Sequence, residues 1–162
     1  QLTQLIREQA ALLPLQVQTI GASITGNQRS HNEDACYPNG TEQSLPRVGI
    51  ICDGIGGHAG GEVASQLALR SLQLQLRTWL AELSLQPEPL SAEIIEQQLI
   101  GMVRVVNNMI AAQNDLQGRA QRERMGTTLA MAVQLPQMMQ TEQGSGNTHE
   151  LYLVHLGDSR AY

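Results

Sequence analysis

The spacing of apolar positions divides this chain of 162 residues into strands toward its ends and helices in its middle. From Gly61 onward Val63, Leu67, Leu72, Leu76, Trp79, Leu80 and Leu83 recur at helical spacing, which predicts one long amphipathic helix running up to the Pro87-Glu88-Pro89 break. A second helix follows: Ser91 is placed to cap it, Glu93 and Glu96 favour its positive N-terminal end, and Ile95, Leu99, Met102, Val106, Met109 and Ile110 form its apolar stripe. The two are expected to pack antiparallel on a sheet face. Strands are predicted over Val17 to Ser23 and Arg47 to Cys52, with the turn-rich Pro38-Asn39-Gly40-Thr41 between them as a hairpin connection. Leu129, Met131, Val133 and Leu135 alternate with Ala130, Ala132 and Gln134, so this strand has one large-residue face. A polar stretch, Gln137 to His149, is expected to turn into a last strand, Leu151 to Leu156, which needs neighbours to pair with. Strands, two consecutive helices and more strands, without regular βαβ alternation, point to an α+β layered sandwich. Residues 1–16, with Leu2, Leu5, Ile6, Leu12 and Leu13 ahead of Pro14, read as a lead-in helix or linker remnant, and residues 17–162 as one unit.

Composition narrows the function classes. Hydrophobic residues make up 41% of the chain, enough for a real core, but Phe is absent and aromatics are 2%, so Leu, Ile, Val, Met and Ala must fill it. Few aromatics and a net charge of −5 argue against a nucleic-acid partner, which calls for stacking platforms and a basic face. No apolar run approaches a membrane span, and no basic segment followed by an apolar one opens the chain, so no membrane association is expected and the cytoplasm is the expected location. Cys36 and Cys52 have neither the number nor the spacing of a disulfide scaffold or zinc site. Should their strands be neighbours, oxidation could join them and distort the loop after Cys52, provided their Cα atoms lie within about 7 Å.

Four blocks carry the candidate chemistry. In Val48-Gly-Ile-Ile-Cys-Asp53-Gly-Ile-Gly-Gly-His58 an apolar strand delivers a carboxylate to its end, and the glycines that follow let backbone and ligands approach that carboxylate closely, as a hard divalent cation requires. Upstream, Arg29-Ser-His-Asn-Glu33-Asp34 sets a cation beside two acids, and the predicted strands carry Glu33 and Asp53 toward one edge. Downstream lie Met125-Gly-Thr-Thr128 and Leu156-Gly-Asp158-Ser-Arg-Ala-Tyr162. Acids on neighbouring strand ends repel unless a cation lies between them.

In this order the four blocks resemble the metal-dependent type 2C serine/threonine protein phosphatases, most closely their bacterial members. The resemblance runs from about residue 20 to 162 and covers the front part of that family's catalytic domain, with two later aspartates of the first metal site absent; Gln1 likewise suggests a cut from a longer protein. It implies two packed sheets flanked by helix pairs, here incomplete at the C-terminus. It further implies hydrolysis of phosphoserine and phosphothreonine in phosphoprotein substrates with two Mn²⁺ or Mg²⁺ ions and a third, weaker site. Asp53 would bridge both metals around a hydroxide-forming water, with Gly54 lending its carbonyl and Glu33 acting on the second ion. Asp34 would accept a hydrogen bond from metal-bound water, Arg29 would bind the substrate phosphoryl group, and Asp158 would serve the third site. Thr127 and Thr128 would be structural, with hydroxyls near the site, and His58 would support the loop. Eukaryotic members often carry a histidine after the Asp-Gly pair, where this chain has Ile55, so that acid is not available here. The resemblance also leads one to expect that the 162 residues alone are catalytically silent and pair with the missing C-terminal part.

Two rival readings remain. Gly54-Ile-Gly-Gly-His-Ala59 fits the dinucleotide-binding pattern G-x-G-x-x-A, although Asp53 would then face a pyrophosphate and no second strand ends in an acid about 20 residues on. A non-catalytic phosphatase-like binding module is the other, and intact Arg29, Glu33, Asp53 and Asp158 speak against it.

Overall fold

The structure is a computed structural model that describes residues 18–40, 44–45, 47–56, 59–86, 88, 90–141 and 144–162. Two short strands, β1 (Asp34–Tyr37) and β2 (Val48–Ile55), lead into helices α1 (Ala59–Leu83) and α2 (Ala92–Leu116). After a 3₁₀ turn at Gln121–Glu123 come β3 (Gly126–Thr127) and a long hairpin of β4 (Leu129–Thr141) and β5 (Gly144–Leu156). The strand order is β1-β2-β4-β5, every pairing is antiparallel, and β3 pairs with the end of β2.

Register decides which side chains share a face. Cys52 lies opposite Ala35, Ile50 opposite Tyr37 and Met131, and Val48 opposite Val133. Directly opposed residues project to the same side, and all seven are 2% exposed or less. Against this face α1 buries Ala64, Ala68, Leu72, Leu76 and Trp79, while α2 contributes Ile95, Leu99, Met102, Val106 and Ile110 to the same core. Each large aliphatic side chain fully buried in this way contributes about 1.5–3 kcal/mol. The opposite face is also apolar, with Ile51 53%, Leu151 63% and Leu153 58% exposed. One antiparallel sheet covered on one side by a helix pair is the α+β arrangement that the element order implies.

Ser91 caps α2 as expected: its hydroxyl accepts from the Ile94 N–H at 3.4 Å. The far end of α2 closes on Gly118, whose φ of 59° lets its N–H return to the Asp115 carbonyl at 3.0 Å.

Several expectations need correction. Val63 and Met109 are 43% and 40% exposed, so neither belongs to its buried stripe. On α1 the stripe runs instead through Ala64, Ala68 and Leu69, because small residues let the start of this helix press against β2. No strand forms over residues 18–23, and Val17 lies outside the described residues. The Gly21 carbonyl instead accepts from the Gly40 N–H at 3.1 Å, and the first strand begins within the acidic motif, at Asp34. Within the polar stretch from Gln137 to His149, residues 137–141 and 144–149 are not a loop; their backbones pair along the hairpin as far as Thr141 opposite Gly144. Ladder hydrogen bonds involve only the backbone, so a polar composition does not prevent them. The lead-in helix expected over residues 1–16, and the loop role expected of His58, lie outside the described residues.

Candidate active site

Asp53 stands near the C-terminal end of β2 and directly opposite Asp34 of β1, on the face away from the helices. Two carboxylates are thereby held side by side across one strand pair. The Asp53 carboxyl titrates above the ordinary carboxylate range, first because it is partly withdrawn from water, then through the charge of Asp34 and a hydrogen bond with it, and through the charge of Asp158. Arg29 pulls the other way. The hairpin, the segment before it and the turn after β5 therefore bring Arg29, Asp34, Asp53 and Asp158 within electrostatic reach of one another.

Glu33 and Gly54 lie on the helix side of the same strands. The Gly54 N–H donates to the Glu33 carbonyl at 3.2 Å, and a Glu33 carboxylate oxygen lies 3.0 Å from where a Cβ on Gly61 would sit. Gly54 and Gly61 meet backbone to backbone: a Cβ on Gly54 would lie 2.1 Å from the Gly61 carbonyl oxygen. Only glycines permit the first turn of α1 to pass this close to the strand that carries Asp53.

The Met-Gly-Thr-Thr block holds this arrangement in place. The Thr128 N–H and the Thr127 hydroxyl both donate to the Asp53 carbonyl, at 2.8 and 2.9 Å, and the Asp53 N–H donates to the Thr128 hydroxyl at 3.1 Å. That hydroxyl also meets the Ser159 hydroxyl at 2.5 Å, which ties the Asp53 backbone to the turn bearing Asp158. Gly157 makes the turn possible, since with φ at 91° any Cβ there would lie 2.9 Å from the Thr128 methyl. The threonines are thus structural, as expected, and Ser159 is their unforeseen partner.

A second unforeseen residue is Asn114, 3% exposed in the last turn of α2. Its amide donates to the Met125 carbonyl and its oxygen accepts from the Met125 N–H, both at 2.9 Å. Met125 in turn packs on Gly56, three residues beyond Asp53. Buried amides of this kind have no periodic signature, because a single polar residue inside an apolar stripe is ambiguous until its partner is known. Asn114→Leu is expected to leave both Met125 backbone groups unpaired, at about 1–3 kcal/mol each. A clear drop in the thermal midpoint checks this; an unchanged midpoint would contradict it.

Cys36 and Cys52 cannot form the disulfide considered above. Cys36 lies opposite Ile51 and Cys52 opposite Ala35, so the two thiols project to opposite faces of the sheet. Burial pushes the Cys52 thiol up to about 12, which leaves it an inert core residue. The dinucleotide reading fails as well, because among the described residues β2 pairs only with antiparallel strands and no βαβ unit surrounds Gly54.

The donors near Asp53 suit a hard divalent cation in kind, since carboxylate and carbonyl oxygens are what such ions prefer, and the Asp34–Asp53 opposition is the charge pattern that a cation relieves. In number they fall short: among the described residues no group of three His, Cys, Asp or Glu side chains is placed to hold an ion.

Comparison with known proteins agrees with this picture. A sequence model of the family described as protein phosphatase 2C matches residues 21–162. Serine/threonine protein phosphatase PstP of Mycobacterium tuberculosis is 34% identical over 140 residues, which is 86% of this chain and 21% of that protein. Serine/threonine phosphatase stp of Listeria monocytogenes is 34% identical over 141 residues, 85% of this chain and 46% of its own length. The chain therefore spans less than half the length of either relative. Among solved structures, the PstP catalytic domain in complex with 2 manganese ions superposes with a TM-score of 0.57 at 33% identity, over 86% of this chain and 47% of that one. A second structure, of the M. tuberculosis PstP/Ppp phosphatase, gives a TM-score of 0.52 at 32% identity, over 82% and 43%.

Proposed function

Because the chain belongs to the protein phosphatase 2C family, we propose that the full-length protein removes phosphate from phosphoserine and phosphothreonine in protein substrates, using two manganese or magnesium ions. The observation that carries this reading is the cross-strand opposition of Asp34 and Asp53, joined by the charge of Asp158 and offset by that of Arg29. Asp53, the Gly54 carbonyl and Glu33 are the proposed ligands for the two ions, with Asp158 serving a third. When bound, such ions supply Lewis acidity and an activated water at neutral pH.

The chain's own residues have definite tasks in this scheme. Arg29 presents the planar fork that fits two oxygens of a phosphoryl group. The Asp34 carboxylate accepts a hydrogen bond from the attacking water and orients it. Thr127, Thr128 and Ser159 fix the Asp53 backbone, so that its carboxylate is in place before substrate arrives. Ile55, 59% exposed beside Asp53, offers no proton, so the leaving alcohol must be protonated by another group.

No helix among the described residues is long and apolar enough to cross a membrane. Two free thiols on opposite faces suit a reducing compartment, and we place the protein in the cytoplasm, acting on phosphoproteins and not on nucleic acid.

The test is hydrolysis of a phosphothreonine peptide by the purified full-length protein, with Mn²⁺ and then with EDTA. Metal-dependent release of phosphate is expected, and a well-folded, metal-loaded protein without turnover would leave a non-catalytic binding module as the better reading. Arg29→Ala should weaken catalysis through substrate binding, by about 1.5–3 kcal/mol for lost charge-assisted hydrogen bonds. It should leave Mn²⁺ affinity intact, as calorimetric titration can show; unchanged kcat and KM would remove Arg29 from the site.

A further inference from the structure

The chain contains ten basic residues and all are arginine. Three of them, Arg119, Arg122 and Arg124, fall within six positions of a chain whose net charge is −5, between the end of α2 and β3. They line an open groove of about 700 Å³ whose other wall is Ile55 and Gly56, the residues that follow Asp53 and Gly54. Among the described residues Glu123 is the one acid in the lining.

The state of each guanidinium matters. Arg124 pairs with Asp115 at 2.9 Å. Arg119 donates to the Gln117 side-chain oxygen at 2.6 Å and to the Glu123 carbonyl at 3.2 Å, both uncharged acceptors, so its charge is held in position but not neutralised. One of its nitrogens lies 3.1 Å from the Cβ position of Gly60, in the positive first turn of α1, whose one acid, Glu62, makes no ion pair with it among the described residues. Arg122 is exposed and has no hydrogen bond or ion pair among the described residues. Ile55 lies two residues beyond Asp53 on the same face of β2, about 7 Å away at the rise of a strand. An extended peptide spans that distance in two residues.

The geometry points to a substrate-recognition subsite: Arg119 and Arg122 bind an anionic group, a carboxylate or a second phosphate, two or three residues from the phosphorylated residue of the substrate. The inference rests on the phosphatase reading and deepens it by naming the class of substrate, phosphopeptides with acidic flanks. The alternative role for such a cluster, steadying the α2–β3 connection, accounts for Arg124 and for the two bonds of Arg119. It does not account for Arg122, which has no partner among the described residues. An acidic flank approaching Asp34, Asp53 and Asp158 meets repulsion, so a preference for it requires positive charge beside the site, and the arginines of this groove, whose opposite wall begins at Ile55 two residues beyond Asp53, supply that charge.

The test uses the full-length protein without added metal, so that binding is read free of turnover. Fluorescently labelled phosphothreonine peptides carry aspartate, asparagine or phosphoserine at the second and third positions to either side, and anisotropy gives Kd. The aspartate or phosphoserine peptide is expected to bind about fivefold more tightly than the asparagine peptide, within the range of exposed charge pairs. Arg122→Gln should remove most of that advantage and Arg122→Glu should reverse it. Since Arg122 makes no bond to any described residue, both variants should keep the thermal midpoint of the parent. A gain for phosphoserine alone that depends on Arg122 supports the subsite and assigns it to phosphate. Equal affinity for all three peptides, or an advantage that survives Arg122→Glu, overturns the proposal. Mn²⁺-dependent turnover of p-nitrophenyl phosphate in the same preparations reads the phosphatase assignment separately, because so small a substrate does not reach the groove.

Discussion

Asp53→Ala in the full-length protein is expected to abolish Mn²⁺-dependent hydrolysis of an aryl phosphate and to lower Mn²⁺ affinity, while the fold persists. The carboxylate is exposed and makes no core contact, so its removal costs the apolar interior nothing. The backbone bonds that fix this position run from its N–H and carbonyl to Thr127 and Thr128, and alanine keeps both groups. Stability should in fact change in the opposite direction to activity. The Asp53 carboxyl titrates above its usual range, so the folded state favours its protonated form. The stability it contributes is therefore present below the ordinary carboxylate pKa of about 3.9 and lost as pH rises through the raised folded value. In EDTA, Asp53→Asn should gain thermal stability over the parent at neutral pH and lose that gain on acidification. Substantial turnover by a well-folded Asp53→Ala protein would remove Asp53 from the ligands.

Gly54→Ala should do the reverse, weakening the fold itself and not the chemistry alone. The added methyl would sit 2.1 Å from the Gly61 carbonyl oxygen and 2.5 Å from that of Glu33, and neither neighbour is a side chain that can rotate away. Either α1 moves off β2, exposing Ala64 and Ala68, or the Glu33–Gly54 contact breaks. Overpacking of this kind costs on the order of 3 kcal/mol, and more where backbone must shift, which is a large share of a small domain's stability. Urea unfolding of the purified variant reads this directly: a midpoint within error of the parent would show that the approach of Gly54 and Gly61 is looser than described. The two neighbouring substitutions thus separate chemistry at residue 53 from architecture at residue 54.

Much of this was legible from residue order. The long helices announce themselves by period, and Ser91 by its place before an apolar stripe, because capping and periodicity are local properties of the chain. The chemical blocks are legible for a related reason: an acid at a strand end followed by glycines is a local arrangement, and the four blocks together carry the family likeness. Local information fails where a partner decides the outcome. Residues 18–23 have strand-like composition but no strand to pair with, while the polar residues 137–141 and 144–149 pair because the hairpin brings two backbones together whatever their side chains.

What only the tertiary structure decided is register and proximity. A one-residue shift between β1 and β2 would turn Asp34 away from Asp53, and that same register sends Cys36 and Cys52 to opposite faces. Asn114 and Ser159 look unremarkable in sequence and acquire their meaning from Met125 and Thr128, 11 and 31 positions away. Arg119 and Arg122 read as solvated surface until the groove beside Ile55 and Gly56 places them next to the acid cluster. Sequence by itself determined the two long helices and the candidate chemical blocks, because helix period, caps and turn glycines act over a few positions. Which carboxylates share a face, and which cations stand beside them, depends on the pairing of strands distant in sequence, and that is fixed only when the core closes.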